Sequence, residues 1–326
     1  MDKQPDINSG SVRAGRRGIG VVYDETYKLH NPGGGHPERP ARCDAVMNAV
    51  VKLPGVSELA PRLATREDIL LAHSEQYYET ARSDIQSGRA MLSTGDTNVG
   101  PDSWEPTLLA AGGVISAVDA VMTDGLSGAF CVVRPPGHHA TYDRGMGFCV
   151  FNNIAVAARY AQRTHGVKRV LIADWDVHHC NGTQDIFYRD GSVLVFSTHQ
   201  FPWYPGTGSP MERGEGDGLG TTLNCPVSAG AGGQEIIDAF RNQLALTADS
   251  FQPELVLISA GFDSHVGDPL GALNLTDDDF AELTSIVADI AQKYADGRVV
   301  SVLEGGYALE HLASATAAHV AALPRG

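Results

Sequence analysis

Four apolar runs along the chain each end on polar, chemically active residues. Residues 170–173 are Val-Leu-Ile-Ala, and Asp174, Trp175, Asp176, Val177, His178 and His179 follow at once. Residues 129–133 lead into Arg134, two prolines, Gly137, His138 and His139. Residues 255–260 are followed by Gly261, Phe262 and Asp263, and residues 299–303 by Glu304, two glycines and Tyr307. Short apolar runs of this kind read as strands buried on both faces. Between them the spacing becomes helical. Leu108, Ala111, Ile115, Val118 and Met122 share a face, as do Ile236, Ile237, Phe240 and Leu244. Thr276 with Asp279 three residues on, ahead of Phe280, Leu283, Val287 and Ile290, reads as a capped helix start. The alternation predicts a three-layer α/β/α fold around a mostly parallel sheet.

Two stretches break the periodicity, residues 31–40 and 201–220. Both are rich in Gly and Pro, and the second carries Trp203 and Tyr204. Irregular loops of this length in a compact domain are usually functional walls or lids. Nothing along the chain marks a linker, so residues 18–326 are expected to form one domain behind a flexible tail, 1–17. Arg16-Arg17 precedes only a four-residue apolar stretch, too short for an export signal. No segment reads as a membrane span.

Composition narrows the function. With 39 acidic against 24 basic residues the formal charge is −15, which disfavours direct nucleic-acid binding and suits cationic partners or simple solubility. Five cysteines, Cys43, Cys131, Cys149, Cys180 and Cys225, contain no Cys-x-x-Cys pair and suit a reducing, cytoplasmic setting. The sequence leaves open whether the chain forms a homo-oligomer.

The strand ends supply a chemistry. In open α/β sheets ligands sit beyond the carboxyl ends of the strands. Asp176 and His178, two apart, share a side on extended backbone, and zinc accepts both residue types. Asp263 gives a third ligand and leaves positions open for water and substrate. Zinc brings the pKa of bound water to about 7, and His138 or His139 could take its proton. Tyr307, after two glycines, could donate to an oxyanion. The set suits hydrolysis of an amide without a covalent intermediate.

The motifs R-P-P-G-H-H-A (134–140), D-W-D-V-H-H (174–179), A-G-F-D (260–263) and E-G-G-Y (304–307), with H-P-E-R-P (36–40) and Y-P-G-T-G (204–208), resemble the zinc-dependent histone deacetylase superfamily. The resemblance runs from about Gly18 to the last helix. It implies the arginase/deacetylase fold, with a sheet of about eight strands. It also implies one catalytic Zn²⁺ on Asp176, His178 and Asp263, with His139 as general base and His138 electrostatic. Asp174 would orient His138, and Asn181 would partner His139, as in class II-like members. Tyr307, rather than the His of weakly active relatives, implies real catalysis. Phe148 and Tyr204 match the walls around an acyl-lysine stem, and Gly147 offers a carbonyl to the substrate N–H. Leu270 stands where the polyamine-preferring branch carries an acidic gatekeeper. A structural K⁺ would fall on Asp174, Asp176, His178, Ser197 and Thr198.

The substrate expected is an acylated lysine in a peptide or protein. An acylated polyamine is the alternative, and a catalytically weak acyl-lysine-binding module is the rival of another class. Arginase chemistry needs more clustered carboxylates than this chain supplies. Other polar residues carry smaller expectations. His36 and Glu38 could reach the rim or belong to a rigid loop anchored by Arg39. Asp96 reads as a turn residue, or, by the resemblance, as part of a loop that holds the substrate backbone; His265 reads as a rim or supporting residue, and His179 as packing or bonding to backbone. Cys180, in place of the usual Gly, fills a gap or offers an oxidisable thiol.

Overall fold

The computed structural model describes residues 18–123 and 125–324. The tail expected over 1–17, with Arg16-Arg17, lies outside the described residues. Eight strands form one sheet: β1 (Ile19–Val22), β2 (Val56–Leu59), β3 (Gly128–Cys131), β4 (Val170–Asp174), β5 (Val193–Gln200), β6 (Thr222–Val227), β7 (Leu255–Ala260) and β8 (Val299–Leu303). Their order is β2-β1-β3-β8-β7-β4-β5-β6. Every pairing is parallel. The fold is the three-layer arrangement that the alternation predicts.

Register explains how both faces are covered. Val21 pairs with Phe130 and Val22 with Cys131, so Phe130 and Val22 point to opposite faces. The Phe130 ring meets His319 of the helix Leu309–Ala322. Val22 instead lies against Gly113 of the helix Trp104–Thr123, close enough that a Cβ there would meet its Cγ1 at 3.0 Å. Each face therefore carries its own helical layer. Residues of β1, β3, β4, β5, β7 and β8 are buried throughout, as the continuous apolar runs require.

The helix Trp104–Thr123 departs from expectation. It has the length and composition of a membrane span, which the periodicity alone did not suggest, yet most of it is buried within the fold. The expected helix start at Thr276 is present: Asp279 Oδ2 accepts from Thr276 N at 2.8 Å, closing a capping box. Over 236–244 the backbone is helical but widens into a π turn, Phe240–Leu244, where Phe240 packs against Trp175 and Phe196.

Candidate active site

β3, β8, β7 and β4 are adjacent in the sheet, so their four polar ends open onto one place. β4 stops at Asp174, and the following residues bend instead of staying extended. The expected shared side therefore arises from a turn. His178 N donates to Asp176 Oδ1 at 2.9 Å, and His178 Nδ1 comes to 3.0 Å from the same oxygen. Asp263 Oδ2 lies 3.1 Å from His178 Nδ1, yet it is buried without a well-formed hydrogen bond. The ligand atoms of Asp176, His178 and Asp263 all lie within 4.8 Å of one another. An orphaned carboxylate oxygen beside an imidazole nitrogen and a second carboxylate fits a divalent cation. The glycines of the motifs follow from the same crowding. A Cβ at Gly261 would sit 2.1 Å from Asp176 Oδ2, and one at Gly305 2.1 Å from Asp263 Oδ2.

Electrostatics agree with the geometry. Burial and the charge of Asp176 push Asp263 up to about 7. Burial opposes charge on His178, but hydrogen bonds to Asp176 and Asp263 prevail and push it up to about 10. Three groups competing over a proton at one point are reconciled by a cation placed among them.

The two histidines after β3 lie beside this triad and differ sharply. His138 Nδ1 lies 3.0 Å from Asp174 Oδ2, and its Nε2 lies 3.8 Å from Asp176 Oδ2. Burial disfavours its charge, but Asp176 and Asp174 outweigh that and push it up to about 10. His139 Nδ1 lies 2.7 Å from Asn181 Oδ1. The amide oxygen can only accept, so Nδ1 carries the hydrogen and Nε2 is left as an acceptor. Burial, then the charges of His138 and His178, hold His139 well below its usual range. Glu304, to which the sequence reading assigns no role, holds this turn: its Oε2 accepts from Gly137 N at 2.7 Å and His138 N at 3.2 Å.

A cavity of about 310 Å³ leads to these groups, lined by Phe148, Gly147, Tyr204, Leu270, Trp203 and Tyr307 among others. The Tyr204 ring meets His139 edge-on at 5.1 Å, and Phe148 meets Tyr307 at 6.0 Å. The Tyr204 hydroxyl turns to the rim and donates to Asp96 Oδ2 at 3.0 Å. Burial, then the charge of Asp263, hold the Tyr307 phenol well above its usual range, so it stays a donor. Gly147 takes φ +57, and a Cβ there would lie 2.3 Å from the His139 ring, so only glycine fits.

Several residues fall elsewhere than expected. Asp96 is a rim residue rather than an ordinary turn aspartate: its Oδ1 accepts from Gly147 N at 2.8 Å, and it lines the cavity. His179 bonds side chains, not backbone, with Nδ1 2.8 Å from Thr207 Oγ1 and Nε2 3.0 Å from Gln184 Oε1. Arg39 is exposed and does not anchor its loop. Glu38 does so, fully buried between Arg134 and Arg42. His36 packs edge-on against Phe148 at 4.6 Å. His265 stacks on His311 at 4.4 Å and faces Asp277, outside the cavity lining. Cys180 is fully buried; burial, then the charge of Asp174, hold its thiol well above the usual range, which suits an inert space-filler. Asp174 pairs in register with Ser197, and the buried Thr198 Oγ1 beside it has no partner.

Comparison with known proteins identifies the family. Residues 36–323 match the histone deacetylase domain. A probable deacetylase of Archaeoglobus fulgidus is 40% identical over 297 residues, 89% of this chain and 82% of that protein. The histone deacetylase-like amidohydrolase of Pseudomonas aeruginosa is 40% identical over 84% of this chain and 73% of its own length. The human polyamine deacetylase HDAC10 is 41% identical over 85% of this chain but 43% of its own length. The crystal structure of the HDA15 HD domain superposes with a TM-score of 0.88 at 35% identity, covering 93% of this chain and 88% of that one. Sequence, fold and the matched relatives together place this chain in the histone deacetylase family, as a hydrolase of the deacetylase and amidohydrolase type.

Proposed function

We propose that the chain removes the acetyl group from acetyl-lysine in a peptide or protein, with one Zn²⁺ held by Asp176, His178 and Asp263. The observation that carries this reading is the largely apolar cavity lined by His138, His139, His178 and Tyr307, with Asp176 and Asp263 buried directly behind His178. When bound, the metal supplies Lewis acidity and an acidified water. The residues around it divide the remaining work. Phe148 and Tyr204 flank the alkyl stem of the substrate, and the Gly147 carbonyl accepts its amide N–H. His139, neutral and with Nε2 free to accept, takes the proton of the attacking water and returns it to the leaving amine. His138, kept cationic by Asp176 and Asp174, stabilises negative charge developing at the carbonyl. The Tyr307 hydroxyl donates to the same oxygen.

The mouth favours a peptide over a polyamine. Leu270 offers no carboxylate to a second ammonium, and the Asp96 carboxylate already accepts from Gly147 N and Tyr204 Oη–H. Asp174, Asp176, His178, Ser197 and Thr198 are proposed as a structural K⁺ site, which the partnerless Thr198 Oγ1 supports. Five free, buried cysteines suit a reducing compartment such as the cytoplasm. The test is amine release from an acetyl-lysine peptide and from N-acetylputrescine by one zinc-loaded preparation. Faster peptide turnover is expected, and faster polyamine turnover would replace this reading with a polyamine deacetylase.

A further inference from the structure

Asp268 lies on the loop that leaves β7, five residues beyond Asp263, and is almost fully buried. Its partners are three backbone N–H groups. Oδ2 accepts from Tyr307 N at 2.7 Å and from Ala308 N at 3.1 Å, while Oδ1 accepts from Leu270 N at 3.0 Å. A carboxylate taken out of water needs compensation of this kind, and hydrogen bonds to a charged acceptor are the strong ones.

The two donors on Oδ2 stand at the start of the helix Leu309–Ala322, whose N-cap, Ala308, has no side chain able to cap it. The first N–H groups of a helix have no partner within the helix. Asp268 reaches from another loop to the N-cap N–H, Ala308 N, and to Tyr307 N just ahead of it, so it holds the residues that lead into the helix, and the helix dipole favours a negative charge there. The turn before it is held from the other side. Arg42 Nε donates to Gly306 O at 2.7 Å, and its guanidinium lies over the Tyr307 ring at 5.1 Å from the centroid. Gly306 takes φ +117, so the chain reverses sharply just before Tyr307. With Arg42 bonded before the reversal and Asp268 after it, the Tyr307 backbone is gripped on both sides.

The same carboxylate reaches the cavity wall through Leu270. One side chain thus ties the end of β7, which carries Asp263 and Leu270, to the end of β8, which carries Tyr307. We propose that Asp268 is a positioning residue that fixes the Tyr307 backbone so that the phenol is aimed at the reacting carbonyl. This rests on the reading of Tyr307 as the donor to that oxygen. A cap that served only stability would lower the melting temperature and leave turnover per folded, metal-loaded chain unchanged. A positioning role acts through Tyr307, so its effect must vanish when the phenol is gone.

The test is a double-mutant cycle on the full, zinc-loaded chain with an acetyl-lysine peptide. Asp268→Asn keeps the shape but leaves one acceptor oxygen for three donors. It is expected to lower kcat by about 10²-fold with KM within a few-fold, the scale of a misplacement of about 1 Å. Tyr307→Phe is expected to cost about 10²–10³-fold. The double variant should turn over within about a factor of two of Tyr307→Phe alone. Ala308→Pro gives a second route: φ −80 suits proline, and the ring replaces the N–H that Asp268 accepts and crowds its Oδ2, which loosens the same grip from the backbone side. It should lower kcat too, and again not in the Tyr307→Phe background. Wild-type kcat in Asp268→Asn, or losses that multiply in the double variant, overturns the role of Asp268. An active Tyr307→Phe chain overturns the reading of Tyr307 itself.

Discussion

His319 and His138 are both buried, one in the middle of the fold and one at the carboxyl end of the sheet, and they are driven to opposite charge states. His319 lies between the rings of Phe130, Trp175 and Phe262, with Nδ1 2.6 Å from Thr284 Oγ1 and Nε2 2.8 Å from Ser301 Oγ. Its neighbours are neutral, so burial pushes it down to about 3. His138 is as deeply enclosed, yet Asp176 and Asp174 push it up to about 10. Burial alone does not decide whether a histidine is cationic; the charge of what it is buried against does. The core uses histidine as an uncharged bridge between a helix and β8. The strand ends collect carboxylates and use it as a charge.

That contrast can be broken at the strand ends first. Asp263→Ala should abolish stoichiometric metal binding and turnover together, read by metal analysis and amine release. His139→Ala should lower kcat by about 10²–10⁴-fold while metal content stays at one ion per chain, the range typical of a lost general base. Asn181→Asp places a charge where a neutral amide stands beside His139. A carboxylate favours the imidazolium form, so the pKa of His139 rises and its free-base form appears only at higher pH. The acid limb of the kcat/KM profile should move up by about one pH unit or more.

The smallest effect concerns the core. The folded pKa of His319, about 3, lies below its unfolded value of about 6.5. The unfolded chain therefore takes up the proton first. The stability at stake is whole above pH 6.5 and is lost as pH falls from there toward 3. His73, pushed down to about 4 by burial, behaves in the same way. Each contributes a slope of at most about 1.4 kcal/mol per pH unit. Denaturant unfolding of Asp263→Ala with and without His319→Leu, between pH 6.5 and 5, should show the slope reduced, approaching that amount at the lower pH.

The sequence announces the strands and the triad because their signals are local. Apolar runs mark β3, β4, β7 and β8, and the reactive residues follow each run within a few positions. Asn181 is found through its place in the motif and not through its bond to His139, which lies 42 positions back along the chain. What stays hidden depends on partners distant in the chain. Arg42 reaches Gly306 across 264 positions, and nothing about an arginine on a helix foretells it. Glu38 is anchored by Arg134, 96 positions away, whereas the adjacent Arg39 faces solvent. His179 finds Thr207 only because the irregular loop folds back over the site. Asp268 sits in a stretch read only for Leu270, and its donors lie 39 and 40 positions on. The bend after β4 is a further limit, since alternation gave the right pairing of Asp176 with His178 for a backbone that is not extended.

A metal ion held by Asp176, His178 and Asp263 would resolve the conflict among them, and turnover would then depend on that ion. The most direct measurement follows metal content and amine release from an acetyl-lysine peptide in one preparation, before chelation, after it and after restoring Zn²⁺. One ion per chain is expected, with activity lost and regained in step with it. Undiminished turnover in the stripped chain would rule the metal out of the reaction.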